Sequence, residues 1–283
     1  YRLACAAPTQ VVMMAGNHDF IGEGSNYRGF TWAENVHFFD SEALDVCHLE
    51  ALNTWVYGLS YEHREIEAPL YDRISPMDQP GYHILLAHGG DEKHVPMQKK
   101  QLMAAGFDYV ALGHIHKPQE VIPGKAAYSG ALEPIDKNDM GPHGYIAGEL
   151  TDRGCQIRFV PAAAREYRPL EIRVTREMTG YQVKELLRSR IGEMGKEHMY
   201  KARLVGFRDP EVLFDLSGFD VYGNLVELTD GTRPAYDFGK LEETNRENIL
   251  GAFIREFQGA GEETTEYMAL CEGVQALMET RRD

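Results

Sequence analysis

Residues 107–119 read FDYVALGHIHKPQ, and residues 11–19, earlier in the chain, read VVMMAGNHD. In each stretch an apolar run of four or five residues stops at a glycine that is followed by histidine or asparagine. A third run, ILLA at residues 84–87, ends at His88 and two glycines. Continuous apolar runs of this length are typical of strands buried on both faces of a sheet. We therefore expect three buried strands whose ends deliver polar side chains.

Residues 98–105 (QKKQLMAA) separate the second of these strands from the third and predict a helix that ends at Gly106. A strand, a helix and a strand in this order form a β-α-β unit. Ligands of parallel α/β sheets bind at the carboxyl ends of the strands. The three sets of polar residues are therefore expected to meet at one place if the three strands share a sheet.

The residue types at these strand ends suit metal binding. His114 and His116 are two residues apart, so on an extended segment they project to the same side. Histidine nitrogen and the amide oxygen of Asn17 are ligands for Mn, Fe or Zn, and His88 adds a further nitrogen. His18 suits either metal binding or general acid–base catalysis. The remaining histidines are expected at ordinary surface or core positions: His37, His48, His63, His83, His94, His143 and His198.

The second half of the chain predicts further units. Short strands between Gly- and Pro-rich turns, at residues 144–150 and 156–160, indicate a second sheet that completes a layered α/β domain. Beyond Pro161, strands at 170–174, 202–207 and 212–216 and a helix at 182–194 indicate a small α+β domain. Two helices with apolar stripes follow, near residues 249–257 and 267–278.

Composition narrows the class of protein. Asp and Glu number 44 and Lys and Arg 29, so the net charge of −15 argues against broad electrostatic binding of nucleic acid. It leaves room for a nuclease whose metals neutralise phosphate locally. No apolar run approaches the roughly 20 residues of a membrane helix. The four cysteines form no C-x-x-C motif, and the first residues lack a signal-peptide pattern, which together predict a cytoplasmic protein.

The order of the motifs resembles a known family. GNHD, then a strand ending in His-Gly, then G-H-x-H is similar to the calcineurin-like metallophosphoesterases. The string at residues 107–119 and Tyr128-Ser129-Gly130 resemble the DNA-repair nuclease branch, the SbcD type. Residues 249–257 and 269–278 are similar to the Gram-positive exonucleases of that branch.

The resemblance implies an α/β fold, a two-sheet α/β/β/α metallophosphoesterase sandwich with a small α+β capping domain and C-terminal helices. Residues 1–163 correspond to the nuclease domain, 164–223 to the capping domain and 224–283 to the C-terminal helical region. Those helices either pack on their own domain or dock on an SbcC-like coiled-coil ATPase. The resemblance also implies DNA as a partner and a homodimer, while the short apolar runs predict no membrane partner.

The family has a site for two divalent metals, usually manganese in nucleases, with Fe or Zn as alternatives. Carried over residue by residue, Asn17, His88 and His114 resemble ligands of one metal, and His116 a ligand of the other. In this resemblance the metals activate water.

The resemblance also assigns two catalytic residues. His18 resembles the residue that contacts the scissile phosphate and assists the leaving group. Asp19 would orient His18 through a hydrogen bond. The function implied is that of a DNA-repair exonuclease subunit, with polarity and strand preference left open.

One part of the family pattern is missing from the sequence. The motifs D-x-H and G-D-x-x-D, which precede GNHD in the family, do not occur in residues 1–16, which contain neither Asp nor His. Residues 1–8 resemble the end of the helix before the GNHD strand. We therefore expect several dozen residues to precede Tyr1 in the complete protein, and this chain alone to be impaired as an enzyme.

Two other functions remain open. The same fold serves phosphatases and cyclic-nucleotide phosphodiesterases, because the metal site does not fix the leaving group. A non-catalytic scaffold subunit with an incomplete metal site is the alternative from a different class. The convergence of five polar residues argues against the scaffold, which has no physical need for them.

Overall fold

A computed structural model describes residues 9–280. The helix end predicted at residues 1–8 lies outside the described residues. The chain divides into two compact units, Tyr1–Glu166 and Tyr167–Asp283. The predicted division into residues 1–163, 164–223 and 224–283 stays a prediction.

The first unit is built on a mixed sheet of six strands. Its strand order is β3-β4-β5-β6-β8-β7. Together with the preceding two-stranded ladder, its strands and helix are β1 (Val11–Met13), β2 (Val36–Phe38), β3 (Asp45–Leu49), β4 (Thr54–Gly58), β5 (Tyr82–His88), α1 (Lys99–Ala104), β6 (Tyr109–Gly113), β7 (Gln119–Ile122) and β8 (Ala126–Tyr128). Strands β4, β5, β6 and β8 are parallel, while β3 and β7 are antiparallel edge strands.

The predicted β-α-β unit is confirmed. Strands β5 and β6 are parallel neighbours, and His88 pairs with Gly113 at their carboxyl ends. Leu85 and Val110 face a large apolar core that also contains Phe107. On the other face, Ile84 packs against a smaller cluster. Both faces of these strands are therefore covered, which explains their continuous apolar runs.

The three strands do not all belong to one sheet, which was the condition under which the sequence predicts that their polar ends meet. Strand β1 pairs in parallel with β2 in a separate two-stranded ladder. Val12 and Met14 pack against the smaller cluster of Phe39, Cys47 and Val56. Strand β1 therefore reaches the six-stranded sheet through side-chain packing and not through ladder hydrogen bonds.

The end of the first unit is a hairpin of two long strands, β9 (Gly144–Thr151) and β10 (Gly154–Pro161). Both strands agree with the sequence prediction. Strands β7 and β8, which precede them, extend the six-stranded sheet. The complete two-sheet sandwich of the family stays a prediction.

The second unit begins with a parallel sheet crossed by one helix. Its elements up to the sheet's end are β11 (Tyr167–Val174), α2 (Gly180–Met194), β12 (Met199–Arg208), β13 (Leu225–Asp230) and β14 (Arg233–Pro234). Thr179 and Gln182 form a reciprocal capping box that starts α2. Val183, Leu187 and Ile191 lie one helical turn apart and bury one face of α2 against the sheet.

The prediction of a strand at residues 212–216 is wrong. This segment is irregular and leads into a short 3-10 helix, Leu216–Gly218. The side chain of Asp215 caps that helix by accepting a hydrogen bond from Ser217 N–H at 3.0 Å. Such local side-chain to backbone bonds compete with strand pairing. The sheet instead takes β13, which lies beyond residue 223.

Three helices end the second unit: α3 (Phe238–Thr244), α4 (Ile249–Glu256) and α5 (Thr265–Glu279). The predicted apolar stripes pack on one another, with Leu250 and Ile254 of α4 against Leu270 and Val274 of α5. Within residues 9–280, no helix combines the length and apolar character needed to cross a membrane.

Candidate metal centre

Hydrogen bonds hold the GNHD loop (residues 16–19) beside the end of β4. Ala15 N–H donates to Ser60 Oγ at 2.8 Å, and Ala15 carbonyl accepts from Tyr61 N–H at 3.1 Å. On the other side of the loop, Ile21 N–H donates to the Tyr61 carbonyl at 2.7 Å. These bonds bring Asn17 to the sheet although β1 is not part of it. Asn17 is 3% exposed, which is unusual for this residue type without a specific partner.

Asn17, His88 and His114 meet at the carboxyl ends of β5 and β6. His88 Nε2 lies 2.8 Å from Asn17 Oδ1, and His114 Nδ1 lies 3.4 Å from the same oxygen. The two imidazole rings are 5.3 Å apart between centroids. Two ring nitrogens and one amide oxygen therefore point at a common position. The structure brings together these three sequence-predicted residues.

The backbone at His114 has an uncommon conformation. Its φ is 98°, in a region that residues other than glycine rarely adopt. Such local strain persists only where surrounding contacts enforce it, and it is frequent at functional sites. Here Gly113 lies against the His88 ring, so that a Cβ atom at residue 113 would come within 2.9 Å of His88 Nδ1. The turn after β6 thus directs His114 toward Asn17.

The Asp91 carboxylate forms a hydrogen bond with the second ring nitrogen of His114. Asp91 Oδ2 lies 2.7 Å from His114 Nε2, and Asp91 Oδ1 lies 2.8 Å from His94 Nδ1. The ring centroids of His94 and His114 are 4.6 Å apart. Asp91, His94 and His114 offer ligand atoms that all lie within 4.8 Å of one another. These three residues form a second group that could hold a metal ion.

The two glycines after His88 shape the loop that carries Asp91. Gly89 and Gly90 have φ values of 136° and 123°. A Cβ atom on Gly89 would come within 2.2 Å of the His94 carbonyl oxygen, so only glycine fits there. The His-Gly-Gly sequence therefore folds the loop back over the strand end.

Burial and charge set the protonation of this group. Burial, followed by the nearby charge of His114, lowers the pKa of His88 to about 4. His88 is thus neutral at pH 7 and can offer a lone pair. Partial burial pushes the pKa of the Asp91 carboxyl upward, but hydrogen bonds from His114, Lys93 N–H and His94 outweigh it and hold the pKa well below its usual range. Asp91 is therefore ionised beside His114.

His18 and Asp19 lie at the exposed rim of the group. Asp19 Oδ1 accepts from Gly16 N–H at 2.8 Å, and Asp19 Oδ2 accepts from Tyr27 O–H at 2.5 Å. Burial and the bond to Asp19 raise the pKa of Tyr27 to about 12, so its hydroxyl is the donor. Among the hydrogen bonds of residues 9–280 there is none from His18 to Asp19. The contacts of Asp19 fix the loop and not the His18 ring.

His116, the predicted ligand of the second metal, has a different partner. His116 Nδ1 lies 3.1 Å from Asp139 Oδ2. Asp139 also accepts from the backbone N–H of Ile135 and Asp136, at 3.1 and 3.2 Å. Its pKa is lowered, since these bonds outweigh the opposing effect of burial. No hydrogen bond of the described residues links His116 to Asn17.

Sequence reasoning missed three residues of this region: Asp91, His94 and Asp139. We expected His94 at an ordinary position, yet it lies beside His114. The available signal was the Asp-Glu-Lys-His sequence at residues 91–94, directly after His-Gly-Gly at a strand end. Asp139 follows His116 by 23 residues, and no spacing rule connects the two.

The residues present fit one divalent metal well. Asn17 Oδ1, His88 Nε2 and His114 Nδ1 are a nitrogen and oxygen donor set that suits Mn, Fe or Zn. Asp91 then accepts from the remaining nitrogen of His114, which is the usual carboxylate partner of a metal-bound histidine. The other group that could hold a metal ion is Asp91, His94 and His114. His116, the predicted ligand of a second metal, belongs to neither group and contacts Asp139.

Two curated proteins are similar to part of this chain. An uncharacterised metallophosphoesterase of Bacillus subtilis, YhaO, is 31% identical over an alignment of 163 residues that covers 53% of this chain and 39% of YhaO. The DNA double-strand break repair protein Mre11 of Methanocaldococcus jannaschii is 26% identical over 141 residues, 46% of this chain and 37% of Mre11. Both similarities support the metallophosphoesterase family.

Both relatives are longer than this chain. The chain spans well under half the length of both relatives. No family model matches the chain. The mixed six-stranded sheet is consistent with the metallophosphoesterase fold. Sequence similarity and architecture thus both support the metallophosphoesterase family.

Proposed function

We propose that the protein containing this chain is a metal-dependent phosphodiesterase that cleaves DNA, a repair exonuclease subunit similar to SbcD. The observation that carries the proposal is the meeting of Asn17 Oδ1, His88 Nε2 and His114 Nδ1, with His18 on the same loop as Asn17. Similarity to a double-strand break repair protein favours DNA as the substrate. Manganese is the metal that we propose, by resemblance to nucleases.

Asn17, His88 and His114 would hold one divalent metal, and His116 would contribute to a second. A bound metal supplies Lewis-acid polarisation of the phosphoryl oxygens and lowers the pKa of water. Neutral His88 presents its lone pair without a competing proton. Asp91 fixes the ring of His114 so that Nδ1 faces Asn17.

We assign proton transfer to His18. It is exposed, so its ring can reach a bound phosphodiester, and it follows Asn17 directly in the chain. In the proposed mechanism His18 donates a proton to the departing oxygen. Asp19 and Tyr27 hold the loop in place through the 2.5 Å hydrogen bond between them.

The test uses the complete protein, stripped of metal by a chelator and reloaded with Mn²⁺. Expected results are hydrolysis of bis-p-nitrophenyl phosphate and of a DNA oligonucleotide. His18→Ala lowers kcat for the DNA oligonucleotide by about 10²- to 10⁴-fold while Mn²⁺ binding is retained. His63→Ala, which changes an exposed histidine paired with Glu42, serves as the control.

The other functions are outcomes of the same test. Hydrolysis of bis-p-nitrophenyl phosphate without DNA cleavage would indicate a phosphatase or cyclic-nucleotide phosphodiesterase. Absence of both activities with Mn²⁺ bound would favour the scaffold subunit. Full activity of His18→Ala would contradict the role of His18.

The proposal includes a cytoplasmic location, a homodimer and an SbcC-like coiled-coil ATPase as partner. The exposed Ile249, 70% accessible at the start of α4, is one apolar side chain that such docking could cover.

A further inference from the structure

An open cavity of about 390 Å³ lies beside the GNHD loop. Four aromatic residues line one wall of this cavity: Tyr27, Phe30, Trp32 and Phe38. We call the cavity the aromatic pocket. All four residues belong to the first unit and to the segment that follows GNHD. None of the proposed metal ligands lies in this segment. The metal centre therefore does not explain why four aromatic residues of the segment line one cavity.

The rings form a stepped surface. Trp32 and Phe38 stack with centroids 5.1 Å apart and an interplanar angle of 30°. Tyr27 lies 4.9 Å from Phe38, and Phe30 lies 4.7 Å from Trp32. Phe30 is 43% exposed. Aromatic faces that border an open cavity offer a flat ring the stacking contacts that they give one another.

The aromatic pocket is joined directly to the proposed catalytic loop. Tyr27 O–H donates to Asp19 Oδ2 at 2.5 Å, and Asp19 is the chain neighbour of His18. The pocket therefore borders the loop that carries His18, the residue that we propose to protonate the leaving oxygen.

Charge around the cavity identifies the chemical class of the ligand. Arg28, Asp40 and Glu62 also line it, so the lining carries two carboxylates and one guanidinium. Arg28 donates to the Ile21 carbonyl at 3.0 Å, which engages part of its donor set. A net negative lining disfavours another phosphate group and favours an uncharged ring with N–H donors. Nucleobases have this character.

We propose that the aromatic pocket binds the nucleobase adjoining the scissile phosphate of single-stranded DNA. The inference rests on the proposed phosphodiesterase function and adds a substrate subsite to it. Base stacking on aromatic side chains is tolerant of sequence, so the pocket selects unpaired nucleotides over particular bases.

Direct binding is measured by ¹⁹F NMR of the complete, metal-free protein labelled with 5-fluorotryptophan. The resonances of Trp32 and Trp55 are assigned by their loss in Trp32→Leu and Trp55→Leu. Trp55 is the matched control because it stacks on His48, with centroids 3.8 Å apart, away from the pocket. A short oligothymidylate, added to saturation as judged by fluorescence anisotropy, shifts the Trp32 resonance and leaves that of Trp55. An abasic oligomer shifts neither.

Kinetics with Mn²⁺ give the second readout. Trp32→Leu raises KM for the oligothymidylate about tenfold or more and leaves hydrolysis of the abasic oligomer unchanged. Leucine keeps an apolar side chain at the position, and a melting curve checks the fold. An unmoved Trp32 resonance at saturation, or an unchanged KM, would contradict nucleobase binding in the aromatic pocket. Failure of the wild-type protein to hydrolyse either substrate would instead overturn the proposed function, whatever the NMR result.

Discussion

Asp91 Oδ2 lies 2.7 Å from His114 Nε2, while the opposite ring nitrogen of His114 lies 3.4 Å from Asn17 Oδ1. One imidazole thus connects a carboxylate on the loop after β5 with the GNHD loop. An ionised Asp91 favours a proton on Nε2 and so leaves the lone pair on Nδ1. The orientation of the proposed metal ligand depends on a residue 23 positions away in the chain.

Asp91→Ala is expected to weaken Mn²⁺ binding about 10- to 100-fold, because His114 loses the partner that fixes its ring. Isothermal titration calorimetry of the complete protein measures the effect. Asp91→Asn keeps an oxygen that accepts from His114 and retains most of the affinity. The control is Glu92→Gln, an exposed neighbour. Equal losses in both Asp91 variants would mean that Asp91 itself holds the ion.

Gly16→Ala is expected to displace His88 from Asn17. A Cβ atom at this position would lie 2.5 Å from His88 Cε1 and 2.7 Å from His88 Nε2. Since the ring cannot stay in place, Mn²⁺ affinity falls while the far-UV circular dichroism spectrum is kept. Gly239→Ala is the control, because its added methyl meets only Asp237 Oδ1 at 3.6 Å. Unchanged Mn²⁺ affinity in Gly16→Ala would exclude His88 as a ligand.

His63 is expected to titrate above the usual histidine range. Its Nδ1 lies 2.8 Å from Glu42 Oε2, and this hydrogen bond, with the charge of Glu42, raises the pKa of His63. The associated stabilisation is complete below the unfolded pKa of about 6.5 and is lost as pH rises through the folded pKa. NMR titration shows the shift, and Glu42→Gln lowers the His63 pKa. A His63 pKa that is the same in both proteins would contradict the interaction.

Leu187→Ala is expected to lower the free energy of unfolding of the second unit by about 2–5 kcal/mol. Leu187 is completely buried between α2 and the parallel sheet, so its loss leaves a cavity. Urea denaturation followed by circular dichroism measures the change. Tyr181→Ala on the same helix removes a side chain that is 73% exposed and changes the free energy by no more than about 0.5 kcal/mol. Similar effects of the two substitutions would contradict the packing described for α2.

Local patterns in the sequence predicted much of the framework. The apolar runs before His88 and Gly113 predicted adjacent parallel strands, and the structure contains them as β5 and β6. The helical stripe of Val183, Leu187 and Ile191 likewise predicted α2. The sequence predicts such features because a helix or a strand depends on residues that are close together in the chain.

The sequence by itself determined which residue types end the strands, and hence that His88 and His114 would be neighbours. Only the tertiary structure decided that β1 lies outside the six-stranded sheet and that Asn17 still reaches His88, through the bonds of Ala15 and Ile21. It also decided that Asp91 pairs with His114. These contacts join residues far apart in the chain, and they depend on loop conformations, such as the positive φ values of Gly89 and Gly90, that no periodic pattern encodes.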